Sequence, residues 1–169
     1  MLINTDELSF DPYHRRSIRL KGYDYSQPGA YFVTIVSYQR ECIFGEITLA
    51  NLVLNDYGQL IKSLWENIPA HYNNVNIDSY VLMPNHLHGI ITISELNPES
   101  SPCDNVGAGY QPAHLRRYPL SEIIRNFKTH SSRKTNEQRE MPGVPVWQRN
   151  YYEHIIGDDE ELNTIREYI

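Results

Sequence analysis

The sequence predicts an α+β fold, an antiparallel sheet with helices packed on one of its faces. Short apolar and β-branched runs at residues 31–37, 75–82 and 86–93 have the length and composition of strands. Two longer segments, opened by the capping residues Asn55 and Ser121, repeat apolar side chains at helical spacing. The resulting order, β–β–α–β–β–α–β–α, sets strand pairs between single helices, the pattern of a sheet with a helical layer.

At 169 residues the chain is expected to form one domain spanning 1–169. Residues 1–30 read as an N-terminal arm, because Pro12, Gly22, Pro28 and Gly29 interrupt any regular element. In that arm Tyr13, Tyr23 and Tyr25 interleave with Arg15, Arg16, Arg19 and Lys21. Such a mixture can stack bases and hold phosphates, or can simply pack on the core. After the strand at 31–37, residues 43–54 read as short strands or a hairpin. Asn55 caps a helix running to about Glu66, with Leu60, Ile61, Leu64 and Trp65 as its apolar stripe and Pro69 ending it. Two strands follow, with Pro84-Asn85 as the turn between them.

Residues 97–116 are rich in Pro, Gly, Ser and Asn and read as an exposed loop. The Ser121 helix turns Ile123, Ile124 and Phe127 inward, leaving Arg125, Lys128 and Arg133 outward. Residues 146–156 form a strand candidate, and Asp158 and Asp159 start a final helix whose buried stripe is Leu162, Ile165 and Ile169. That helix has no closing glycine, which predicts a natural chain continuing past 169.

No apolar run is long enough to span a membrane, no signal peptide opens the chain, and Cys42 and Cys103 form no metal or disulfide pattern. A cytoplasmic protein is expected. The formal net charge is −6, yet the basic residues are unevenly placed. Arg15, Arg16, Arg19 and Lys21 lie together without an acid, and Arg116, Arg117, Arg125, Lys128, Arg133, Lys134 and Arg139 meet only Glu122 and Glu137. Screening confines charge effects to roughly 8 Å, so a basic face on an acidic protein can still bind phosphates. It can equally be an ordinary solvated face.

The segment Pro84-Asn85-His86-Leu87-His88 carries the chemistry. On a strand, His86 and His88 point the same way and Leu87 the other. Two imidazoles on one face can grip a metal ion with a further ligand from elsewhere, or can be satisfied histidines on a polar face. A tyrosine near such a site can attack a phosphodiester and hold the cut strand covalently. No GxxxxGK[ST] loop is present, so ATP is not implicated.

These blocks together resemble the single-tyrosine HUH transposases, and within them the REP-associated tyrosine transposases. The matching residues are 80–88 (YVLMPNHLH), Phe127-Lys128, 146–156 (VWQRNYYEHII), 166–169 (REYI), and 19–25 (RLKGYDY) leading into 31–34 (YFVT). They run in family order over nearly the whole chain. The resemblance implies a ferredoxin-like α+β fold, His86 and His88 as metal ligands, and Mg2+ or Mn2+ as cofactor. It implies cleavage and strand transfer of single-stranded DNA at hairpin-associated sites through a 5′-phosphotyrosine. Tyr168 falls where the family carries its nucleophile, while Tyr151 and Tyr152 sit in a strand-like block suited to packing or stacking. In relatives a third, polar ligand stands one helical turn after the nucleophile. That position lies past Ile169 here, so an acid such as Glu161 would have to substitute. Relatives occur as monomers and as homodimers, which leaves oligomeric state open.

The main rival is a non-catalytic protein that binds single-stranded or hairpin DNA and has lost the cut. A two-motif histidine phosphoesterase needs two copies of His-x-Ser/Thr, whereas the chain offers one His-x-His and His114, His130 and His154 lack that context; a structural zinc site needs a cysteine near the His pair.

Overall fold

Alternate residues of the first strand, Tyr31, Val33 and Ile35, are fully buried while their neighbours are half-exposed. This is the period-2 burial of a strand with one face on a core. The computed structural model describes residues 20, 22–49, 51–96 and 116–169. In chain order these give β1 (Gly29–Val36), a hairpin of β2 (Gly45–Thr48) and β3 (Asn51–Leu54), and α1 (Asp56–Glu66). They continue with β4 (Val75–Met83), β5 (His86–Ile93), α2 (Leu120–Gln138), β6 (Tyr152–Ile156) and α3 (Asp159–Tyr168). The expected basic cluster of Arg15, Arg16, Arg19 and Lys21, and loop residues 97–115, lie outside the described residues.

The main sheet has the order β4-β5-β1-β6, and every neighbouring pair is antiparallel. With α1 between β1 and β4, and α2 between β5 and β6, this is the ferredoxin-like split-βαβ arrangement. The α+β expectation is met. One face of the sheet, carrying Tyr31, Val33, Leu87 and Ile91, packs against Ile61 and Trp65 of α1 and Ile123, Ile124 and Phe127 of α2. Trp65 and Phe127 meet edge-to-face with ring centroids 5.1 Å apart, and each such buried side chain contributes about 1.5–3 kcal/mol.

The third helix behaves differently. Its Tyr168 ring touches Phe32 and His88, side chains on the face opposite Trp65. Thus α1 and α2 cover the core, and α3 crosses the other face. Its Leu162, Ile165 and Ile169 are half-buried, not fully buried as expected. Asp158 caps it as predicted, accepting from the Glu161 N–H at 2.8 Å.

Two local expectations are corrected and one open alternative is decided. The second long helix begins at Leu120 with Pro119 as its cap, and Ser121 makes no capping bond. Pro119 has the extended backbone of a cap (φ −67°, ψ 147°) but no side-chain acceptor, so the first-turn N–H groups receive no side-chain cap. The last strand spans Tyr152–Ile156, whereas the preceding residues run beside β1 through a Ser37–Trp147 bridge and a Gln148 N–H to Val36 carbonyl bond of 2.9 Å. Tyr23 and Tyr25 pack against the core, with the Tyr23 and Tyr31 hydroxyls 3.4 Å apart. Between the two fates considered for these tyrosines, packing prevails.

Candidate active site

The open face of the sheet is built from residues that alternate with the core positions. Register aligns Thr34 with His88, Val36 with His86, and Phe32 with Ile90 across β1 and β5. Across β6 it aligns Thr34 with Tyr152 and Phe32 with His154. Opposed residues in an antiparallel pair share a face, so His86, His88, His154, Tyr152 and Phe32 lie on one face. The same-face expectation for the His pair follows directly, and their ring centroids are 4.6 Å apart.

Each imidazole is oriented through Nδ1. Asn85 Oδ1 lies 2.7 Å from His86 Nδ1, and Asn85 Nδ2 donates to the Arg40 carbonyl at 3.2 Å. A carbonyl oxygen only accepts, so His86 Nδ1 carries the proton and Nε2 keeps its lone pair. His88 Nδ1 lies 2.8 Å from Thr34 Oγ1, a hydroxyl that can donate or accept and so orients the ring without choosing its tautomer. Burial lowers both histidine pKa values, assisted at His86 by the Arg40 charge and at His88 by His86. The rings are therefore held neutral, the form that ligates a metal. Among the described residues, no third His, Cys, Asp or Glu completes a cluster with them. Glu161 does not substitute: its carboxylate accepts from the Gly157 N–H at 2.7 Å and pairs with His154 Nε2 at 2.7 Å.

Tyr168 closes the cluster. Its ring lies 5.6 Å from His88 and 6.4 Å from Phe32, both edge-on, while Phe32 stacks on His88 at 5.5 Å and 16°. The Tyr168 side is 69% exposed, so its hydroxyl is reachable by a large ligand. Tyr152 is also on this face, 47% exposed and 6.3 Å from Phe32.

The predicted basic face divides. Arg125 is exposed with no ion pair among the described residues, and Arg133 pairs with Glu137 at 3.6 Å. Lys128 does not point outward. Its Nζ donates to the carbonyls of Gln148, Arg149 and Asn150 at 2.6, 3.2 and 3.2 Å, tying α2 to the segment leading into β6. Burial pushes its pKa down to about 8. The signal was present in sequence, since Lys128 stands four residues after buried Ile124 and three before buried Ser131, on the stripe itself.

Sequence reasoning missed Thr34 and Asn85, which orient the histidines, and Arg40, whose backbone and that of Gln39 adopt φ of 62° and 53° beside Asn85. Asn85 could have been found from its place next to His86. Thr34 depends on register and could not.

The chain is 44% identical over 160 residues to an uncharacterised protein of Haemophilus influenzae, covering 93% of this chain and 87% of that one. The two belong to one family. A second Haemophilus influenzae protein, named "Putative REP-associated tyrosine transposase", is 25% identical over 146 residues, 86% of this chain and 70% of the relative. In three dimensions the chain matches the structure of a REP-associated tyrosine transposase bound to a REP hairpin, with a TM-score of 0.56 and 15% identity. That match spans 89% of this chain and 69% of the other. The chain therefore shares the fold of that transposase, as the sequence resemblance implied. No protein-family model matches the chain. Among the described residues, no helix is long and apolar enough to cross a membrane.

Proposed function

We propose that the protein is a REP-associated-type tyrosine transposase, cutting and rejoining single-stranded DNA beside a hairpin through a covalent 5′-phosphotyrosine at Tyr168. The observation that supports this reading is the meeting of an exposed tyrosine with two pre-oriented neutral imidazoles on one open sheet face. The transposase of like fold is bound to a REP hairpin, and a hairpin is the ligand proposed here.

In the cutting step the Tyr168 hydroxyl oxygen attacks phosphorus and the P–O3′ bond breaks. The phenolic proton passes to solvent, and the departing 3′ oxygen takes up a proton. One phosphodiester replaces another, so a second 3′ hydroxyl can reverse the step without ATP. Phe32 and Tyr152 present ring faces and edges on which unpaired bases can stack.

A divalent cation would be held by the His86 and His88 imidazoles. Two imidazoles suit Mn2+ better than Mg2+, which prefers oxygen. Such a cation supplies charge neutralisation at the scissile phosphate. Asn85 holds His86 in the tautomer with Nε2 free, and Thr34 orients the His88 ring.

The pair has only two protein donors among the described residues, which favours one second reading: a hairpin-binding protein that no longer cuts. Incubation with labelled hairpin DNA and Mn2+, followed by a denaturing gel, separates the two. A covalent adduct that disappears in Tyr168→Phe supports the transposase. Tight hairpin binding with no adduct supports the binding protein.

A further inference from the structure

We infer that Asp78 and His154 are positioning residues for Tyr168, acting through two polar latches that hold α3 across the open face from opposite edges of the sheet. The inference rests on the proposed role of Tyr168 and adds residues that nothing in the chemistry itself requires.

Fully buried side chains anchor α1 and α2, but α3 has none. Polar contacts instead fix both of its ends. At the N-terminal end Glu161 bonds His154 of β6 and the Gly157 N–H, each at 2.7 Å. At the C-terminal end Arg166 donates Nε to Asp78 Oδ1 at 2.9 Å and Nη2 to Asp78 Oδ2 at 2.5 Å. β6 and β4 are the two edge strands of the sheet. The helix therefore spans the full width of the face, passing over β1 and β5, where Tyr168 meets Phe32 and His88.

The C-terminal latch controls more than distance. A two-pronged guanidinium–carboxylate pair fixes orientation as well as separation. Arg166 lies two residues before Tyr168, and successive helical residues turn by about 100°. Fixing the azimuth of Arg166 therefore fixes the direction of the phenol. Asp78 also occupies a specialised place in its strand. Ile77 pairs with Ile91 and Tyr80 with Gly89, so three steps on β4 oppose two on β5. The extra residue falls at Asp78-Ser79, and bulges of this kind re-aim side chains at functional sites. The Ser79 hydroxyl donates to Asp78 Oδ1 at 3.2 Å, further orienting the carboxylate. The Arg166 bonds hold the Asp78 pKa below its usual range, so the carboxylate is charged at neutral pH.

The test uses Asp78→Ala, Arg166→Lys and the charge exchange Asp78→Arg/Arg166→Asp. Three quantities are measured: hairpin DNA affinity, adduct rate with Mn2+, and amide hydrogen exchange across residues 159–169. The two single variants should accelerate exchange in α3 and not in β1 or β5. They should slow adduct formation about 10- to 100-fold, the loss expected from misplacing a reacting group by about 1 Å, while DNA affinity is unchanged. The exchanged pair should recover both. His154→Ala should loosen the N-terminal half of α3 and slow the adduct, and His154→Gln should rescue it. Parental α3 exchange or a parental adduct rate in Asp78→Ala overturns the inference. If the parent protein itself forms no adduct, the functional reading fails, and α3 exchange in the same variants decides the latches.

Discussion

Gly89 follows His88 on β5, and its Cα faces the indole of Trp65. A Cβ built there would lie 2.6 Å from one indole carbon and 3.2 Å from another, with the Tyr80 Cβ at 3.3 Å. Ordinary carbon contacts are about 3.5–4.0 Å, so Gly89→Ala demands a shift of about 1 Å. Trp65 cannot swing away freely, because it is fully buried and wedged edge-on against Phe127 at 5.1 Å. Overpacking of this kind costs about 1–3 kcal/mol, partly offset by the 0.4–1 kcal/mol that alanine gains through the unfolded chain. A net loss of about 1–2 kcal/mol is expected, which for a domain of this size lowers Tm by about 2–8 °C. Calorimetric or circular-dichroism melting measures it. Because the clash lifts the strand carrying His88, adduct formation should fall further than stability alone explains. An alanine variant melting at or above the parental temperature would refute this packing argument.

Lys128→Met should destabilise the fold by about 1–3 kcal/mol, since three carbonyls lose a charged donor, and should leave the salt dependence of DNA binding unchanged. Arg125→Ala should do the reverse, lowering the slope of log affinity against log salt by about one while the melt is unaffected. Equal salt slopes for both variants would return α2 to an ordinary solvated face. His86→Ala and His88→Ala should each abolish the Mn2+-dependent adduct with little change in Tm, because neither ring belongs to the main core. Parental cutting by either would make the pair structural.

The strands, both long helices and the shared face of His86 and His88 were legible because local periodicity specifies them. Alternation in residues 86–93 needs no partner to be read, and Asn55 and Asp158 cap helices through bonds made within their own first turn. What was not legible depends on contacts between distant segments. Nothing local states that α3 crosses the face opposite α1 and α2, or that Arg166 meets Asp78. The charge of Glu161 was visible, but its engagement by His154 depends on where β6 delivers that ring. Lys128 shows the opposite case. Its place on the buried stripe was readable, and its charge drew attention outward instead.

The proposed function stands on the covalent joining of Tyr168 to DNA. The most direct measurement treats the protein with hairpin-bearing single-stranded DNA and Mn2+, digests the adduct, and locates the nucleotide-bearing peptide by mass spectrometry. A phosphodiester-linked nucleotide on Tyr168, lost when Mn2+ is chelated, is the predicted result. The modification found instead on Tyr151 or Tyr152, or an unmodified protein that still binds the hairpin, would contradict it.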